Sequence, residues 1–235
     1  MRTVLSPTIA GAPLRASLLF AASIAAVTAV AADEGHRLNP PPEIALSINR
    51  SKTDLDYPAD RVATRIDRIG VHWREHYAPL RLGLTGGYSY VTQTGHTATA
   101  GLELAGYHAG IAFEATLYAT SAMRVILGGG YLYERVREET GGDDVTLAWK
   151  IPSAELRAEW RWTPLLELYG GARYDYLKGE ERLHGARRST VDIEHRAETA
   201  AVAGLRLHLD DSGYVSLEAN GGAVRGVTLC FGRQY

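Results

Sequence analysis

Three segments of the chain repeat one pattern at a fixed interval: "LRLGLTGGYSYV" from Leu80, "RVILGGGYLYERV" from Arg124 and "LLELYGGARYDYL" from Leu165. In each, alternating aliphatic residues lead to a glycine pair and then to Tyr-x-Tyr. The first tyrosines, Tyr88, Tyr131 and Tyr174, lie 43 residues apart. Period-2 alternation puts Leu80, Leu82, Leu84, Tyr88 and Tyr90 on one face of a strand, and Arg81, Thr85 and Ser89 on the other. The repeat therefore demands a sheet whose alternate strands run the same way and carry tyrosines at the same end. Extending the interval in both directions reaches "EIALSINR" and "YVSLEANGG", which are also strand-like. Five hairpins predict ten strands; eight is the alternative if the last segment is one long strand or the first lies outside the sheet.

A chain of 235 residues suffices for one closed barrel or one domain with a full core. A net charge of −2 points to no nucleic-acid partner. The single cysteine, Cys230, excludes an intrachain disulfide framework and a Cys-rich metal site. At the N-terminus, Arg2 and Arg15 precede the apolar run "ASLLFAASIAAVTAV", and Ala29-Val30-Ala31 stands just before the polar "ADEGHR". These are the three parts of a secretory signal peptide. Cleavage is expected after Ala31, with Ala32 as the neighbouring option. Residues 32–42, with Pro40-Pro41-Pro42, read as an extended periplasmic lead-in, and residues 43–235 as the barrel. Downstream of residue 32 no uninterrupted apolar run reaches the ~18 residues of a membrane helix. Two classes remain, an exported soluble β protein and a transmembrane β-barrel.

The connections separate them. Tight ones ("HYAP", "ATSA", "TP", "DDSG") alternate with longer polar ones ("SKTDLDYPAD", "TQTGHT", "REETGGDD", "KGEERLHGARRST"), as the two rims of an up-and-down barrel would. Tyr88, Tyr90, Tyr131, Tyr133, Tyr174 and Tyr176 fall on the side of the longer connections; Trp73, Trp160 and Trp162 stand beside the tight ones. Aromatics at both ends of an apolar band form an outer and an inner girdle in a membrane barrel. Parity changes near Ala105–Tyr107 and at Pro152 read as β-bulges. That reading keeps Leu104, Val145, Leu147 and Trp149 on the lipid face.

From Glu43 to Tyr235 the chain resembles the small outer-membrane β-barrel proteins of Gram-negative bacteria. Its last segment, "GVTLCFGRQY", puts Val227, Leu229, Phe231 and Tyr235 on one face and ends in an aromatic. This is similar to the C-terminal strand that such proteins present to the barrel-assembly machinery, with Phe231 and Tyr235 as the signal. Arg233 departs from the pattern, which has an aromatic or aliphatic residue there. The resemblance implies an all-β, transmembrane up-and-down antiparallel β-barrel in the cell outer membrane. It implies a monomer in contact with outer-membrane lipid and lipopolysaccharide, with the assembly machinery as partner during biogenesis and no cofactor.

The face opposite the aliphatic residues carries Glu103, Arg124, Lys150, Glu155, Arg157, Glu159, Arg161, Glu167, Arg173, Glu198 and Arg206, with both signs interleaved. In a barrel of eight to ten strands the interior is nearly filled by side chains, and an unpaired charge there costs several kcal/mol. The expected arrangement is an ion-pair network that plugs the lumen. A small solute or ion pore is the alternative, although a selective pore shows one dominant sign at its constriction. A second alternative is an outer-membrane hydrolase, lipid A deacylase-like or protease-like, with Asp175, His184, Glu194 and His195 as rim candidates. No nucleophile–base pair stands at a diagnostic spacing. His72 and His76 in "HWREH" share a strand face, but no third metal ligand is evident. Arg182, Arg187 and Arg188, beyond the outer tyrosines, have the chemistry to hold lipopolysaccharide phosphates.

Overall fold

The computed structural model describes residues 41–235, apart from 59, 97, 98, 100, 141, 142, 185–187 and 223 and the side chains of 139, 140, 143 and 195–198. The expected signal peptide lies outside the described residues. Ten strands follow one another: β1 (Glu43–Asp56), β2 (Arg61–Tyr77), β3 (Leu80–Thr94), β4 (Glu103–Ala119), β5 (Met123–Thr140), β6 (Asp143–Arg161), β7 (Leu166–His184), β8 (Ser189–His208), β9 (Gly213–Gly221) and β10 (Arg225–Gln234). Each pairs antiparallel with the next, and β1 pairs with β10 to close the barrel. This is the up-and-down architecture that the repeat predicts.

The outward face of the lower half is apolar and uncovered. Leu82 and Leu84 on β3, Ile111 on β4, Leu156 on β6 and Leu217 on β9 all stand exposed. A soluble protein does not display a continuous belt of this kind; a barrel in lipid does. On β3 the belt runs from Leu80 to Tyr90, ten steps of ~3.3 Å. With a strand tilt of ~40° that rise spans ~25 Å, the height of the apolar band in outer-membrane barrels. Tyr88, Tyr90, Tyr131 and Tyr174 are exposed on this outward face at its upper edge, and Trp73, Trp160 and Trp162 are exposed at the lower end. Tyr133 and Tyr176 share the same parity and are half-buried. Tyr107 joins the upper belt opposite Tyr88 and packs on Tyr133 with ring centroids 6.3 Å apart. Trp160 and Trp162 pack together at 5.3 Å.

Among the described residues two bulges occur, between Thr116 and Tyr118 and between Asp175 and Leu177. The bulges expected near Ala105–Tyr107 and at Pro152 do not. Pairing of β3 with β4 is unbroken from Leu80↔Ala115 to Thr92↔Glu103, and Pro152 sits opposite Tyr131 in a continuous register. Parity changes on paper because the apolar residues change sides. In the lower half they face lipid, and in the upper half Leu104, Val145, Leu147 and Trp149 face the interior, each 0–4% exposed.

The segments read as long loops are largely strand, since β1 reaches Asp56, β5 reaches Thr140 and β7 reaches His184. With 14 to 20 residues each, β1 to β8 exceed the ~9–11 residues that cross a bilayer, so between about a quarter and a half of each rises above the belt. β9 and β10 have only 9 and 10 residues. Above their hairpin β1 meets β8 directly, at Asp56↔Glu194. The wall thus has ten strands at its lower end and eight at its upper end.

The belt assignment gives a first expected result. Leu84→Arg, in mid-belt, should destabilise the barrel in lipid vesicles by ~2–4 kcal/mol, whereas Thr94→Arg, outward but above the belt, should change stability little. Urea titration of vesicle-folded protein reads both, and equal responses would remove the belt.

Candidate functional site

The interior has two layers of different chemistry. In the lower one, five arginines and five glutamates form one continuous ladder across β3 to β9. Arg81 meets Glu114 at 3.0 Å, and Glu114 also takes Arg157 at 3.2 Å. Arg157 is the hub, with Glu155 at 2.8 Å and Glu159 at 3.0 Å. From Glu155 the ladder runs to Arg173 at 2.5 Å and Glu218 at 3.4 Å. From Glu159 it runs through Arg124 at 2.7 Å to Glu167, which also holds Arg206 at 2.8 Å. Period 2 builds this directly: Glu155, Arg157 and Glu159 lie on one inward face of β6, and neighbouring strands supply the opposite charges. Near the lower rim Glu43 accepts from Arg74 at 3.0 Å and from Tyr214 at 2.6 Å.

Of the charged residues assigned to the lumen from sequence, Arg124, Glu155, Arg157, Glu159, Glu167, Arg173 and Arg206 are in the ladder. Glu103 and Lys150 are not; both are exposed and have the outward parity, since Leu104 and Trp149 beside them turn inward. Arg161 follows the inward parity but ends β6 at the exposed lower rim. Glu198 lies outside the described side chains. Arg68 and Glu134, unrecognised from sequence, form a two-bond pair at 3.1 and 2.7 Å, and the Trp149 indole N–H donates to Glu134 at 2.7 Å. A buried indole needs an acceptor. The shared parity of Arg124 and Glu134 along β5 was the signal available for it.

Above this pair the interior turns apolar. Leu55, Tyr57, Val62, Ile66, Val91, Leu104, Val136, Val145, Leu147, Trp149, Leu177 and Ile193 form one packed apolar cluster, every member at most 8% exposed. All of them come from β1 to β8 and the β1–β2 turn, the part of the wall that has only eight strands. An eight-stranded barrel has an interior just wide enough for side chains to fill it. The short β9–β10 hairpin therefore makes the narrowing that lets this cluster close.

A polar latch covers the cluster. Glu181, 1% exposed, accepts from the Tyr57 hydroxyl at 2.9 Å and contacts His96 Nε2 at 3.1 Å. Gln93 donates to the Tyr57 oxygen at 2.9 Å and accepts from Thr99 at 2.5 Å. Burial raises the Tyr57 hydroxyl far above its ordinary pKa, with Glu181 acting in the same direction, so it stays a donor. The latch ties the β1–β2 turn and the β3–β4 connection to β7.

Between cluster and ladder lies a cavity of about 410 Å³, lined on one side by Ser47, Asn49, Ser51 and Thr53 of β1 and on the other by Arg157 and Arg173. Cys230 faces it from β10. Ser47 Oγ stands 2.7 Å from His72 Nε2, and Ser89 Oγ stands 2.9 Å from His108 Nδ1. Among the described residues neither imidazole has a carboxylate hydrogen-bonded to its second nitrogen, so neither pair is a triad. The rim candidates do not converge: Asp175 points inward, while His184 is exposed, Glu194 is exposed and pairs with Lys178 at 3.5 Å, and the His195 side chain is outside the described set. No group of three metal-ligating side chains occurs among the described residues. Phe231 is exposed on the outward face of β10, Tyr235 is exposed just beyond its end, and Arg233 approaches Asp210 at 4.0 Å. Arg182 is held by Glu180 at 2.5 Å, Arg188 is exposed, and Arg187 lies outside the described residues.

No protein-family model matches the chain, and no curated protein matches it. Solved structures do. The outer membrane protease OmpT of Escherichia coli aligns with a TM-score of 0.52 at 12% identity, over 84% of this chain and 97% of that one. An outer membrane channel of Pseudomonas putida F1 aligns with a TM-score of 0.48 at 11% identity, over 87% and 98%. Neisserial surface protein A aligns with a TM-score of 0.45 at 12% identity, over 85% and 100%. At such identity the likeness is one of fold: a closed barrel of the outer-membrane type.

Proposed function

We propose that this outer-membrane β-barrel, exported by its N-terminal signal peptide, is a closed barrel of structural or interaction type whose lumen does not conduct. The apolar cluster across β1 to β8 carries the reading. A pore needs a continuous wetted path, and twelve packed side chains at most 8% exposed deny one at the upper end. The ladder below gives each of its carboxylates an arginine, so it fixes strand register without leaving a charge free to carry ions. The end with the tight turns and both described chain ends faces the periplasm. Phe231 and Tyr235 serve as the signal to the assembly machinery, and the mature barrel acts as a monomer.

The plain test is solute exclusion. Proteoliposomes should swell in isosmotic glycine no faster than protein-free vesicles. Swelling that rises with protein content would overturn the reading in favour of a pore.

A further inference from the structure

Outward-facing charges above the tyrosine belt are not distributed evenly. On β1 and β2 the outward arginines have aspartates: Arg50 and Arg65 share Asp67 at 2.7 and 2.8 Å, and Arg61 holds Asp56 at 2.9 Å. Lys52, directly opposite Arg65, makes no ion pair among the described side chains, but Asp54 stands two residues along on the same face. The β5–β7 face is different. Arg135 and Arg137 follow Tyr133 on β5, Lys150 lies opposite Tyr133 on β6, and Lys178 lies directly opposite Lys150 on β7. Like charges placed directly across a strand pair are destabilising, and such a pair on a free surface works against the fold. Arg182 completes the patch: it and Arg137 flank Thr146, which is only 7% exposed although it points outward. Lys178 and Arg182 have Glu194 and Glu180, but among the described side chains no carboxylate pairs with Arg135, Arg137 or Lys150. Glu103 stands diagonally from Arg137 without an ion pair.

We propose that this outward face of β5 to β7 is a binding site for the phosphates of an outer-leaflet glycolipid, the lipid A part of lipopolysaccharide. Guanidinium and ammonium groups at this spacing suit phosphate oxygens, and an anion between Lys150 and Lys178 removes their repulsion. The tilted Tyr107–Tyr133 pair lies just below and forms a ledge for the sugar ring, with the apolar belt beneath it for acyl chains. The assignment rests on the orientation proposed above and is independent of whether the lumen conducts.

Native mass spectrometry of the detergent-solubilised barrel tests it, with bisphosphorylated lipid A, fully dephosphorylated lipid A and phosphatidylglycerol as separate probes. The wild type should retain one bisphosphorylated lipid A. The triple variant Arg135→Gln/Arg137→Gln/Lys150→Gln, and the single Lys150→Glu should the triple variant fold poorly, should weaken retention at least tenfold. Arg50→Gln should leave it unchanged. Equal retention by wild type and variant, or equal retention of phosphatidylglycerol or the dephosphorylated probe, would overturn the site. A barrel that conducts yet binds lipid A through these residues would overturn the closed lumen and leave the site standing.

Discussion

Arg157→Ala should destabilise the folded barrel by about 3–5 kcal/mol, the cost of leaving buried carboxylates without their cation. Arg157 is the one ladder member that meets three glutamates, Glu114, Glu155 and Glu159. Of these Glu159 is 2% exposed and keeps only Arg124 once Arg157 is gone. The guanidinium also lies over the Tyr169 ring at 5.4 Å, so the change removes packing as well as charge. Arg161→Ala is the control. Four residues further along the same inward face, it is exposed at the rim, and its loss should cost no more than ~0.5 kcal/mol. Urea unfolding in vesicles measures both. Equal effects would mean that the ladder is not what holds this layer.

How far this was legible in the sequence depends on which half of the wall is considered. In the lower half one rule holds, apolar residues outward and charged residues inward. Alternation there suffices to place Leu80, Leu82 and Leu84 in lipid and Glu155, Arg157 and Glu159 in the lumen. Above the tyrosines the rule inverts, because water replaces lipid outside and the narrowed interior requires apolar filling. Neither β4 nor β6 carries a Tyr-x-Tyr pair to mark that change of solvent. Leu104 and Trp149 therefore looked like lipid-facing residues, and Glu103 and Lys150 like lumen charges. The parity shifts that alternation suggests at Ala105–Tyr107 and Pro152 are absent from the chain. The inversion does have a sequence correlate in the tyrosine pairs, beyond which the expected sides should be exchanged.

The strand count was ambiguous for a related reason. "GYVSLEANG" and "RGVTLCFGRQ" are short strands, and their brevity leaves β1 and β8 to meet above them. The count is ten, and the alternative of eight falls, because the last segment is two strands and the first closes the sheet against β10. Arg68 and Glu134 pair across β2 and β5, and no spacing along the chain announces a contact between residues 66 positions apart. Arg135, Arg137 and Lys150 were visible as charges, but their shared outward face and the missing acidic partners appear only with the register.

Closure of the lumen by the apolar cluster is the central claim, and single-channel recording in planar bilayers tests it most directly. The wild type should show no steady conductance. Leu104→Ser/Leu147→Ser places two hydroxyls where β4 and β6 contribute side chains that are 0% exposed. Polar groups there wet the constriction and join the 410 Å³ cavity below to the upper rim. That double variant should give frequent, resolvable openings. Steady conductance by the wild type, unaltered in the double variant, would show that ions bypass the cluster and would contradict a sealed barrel.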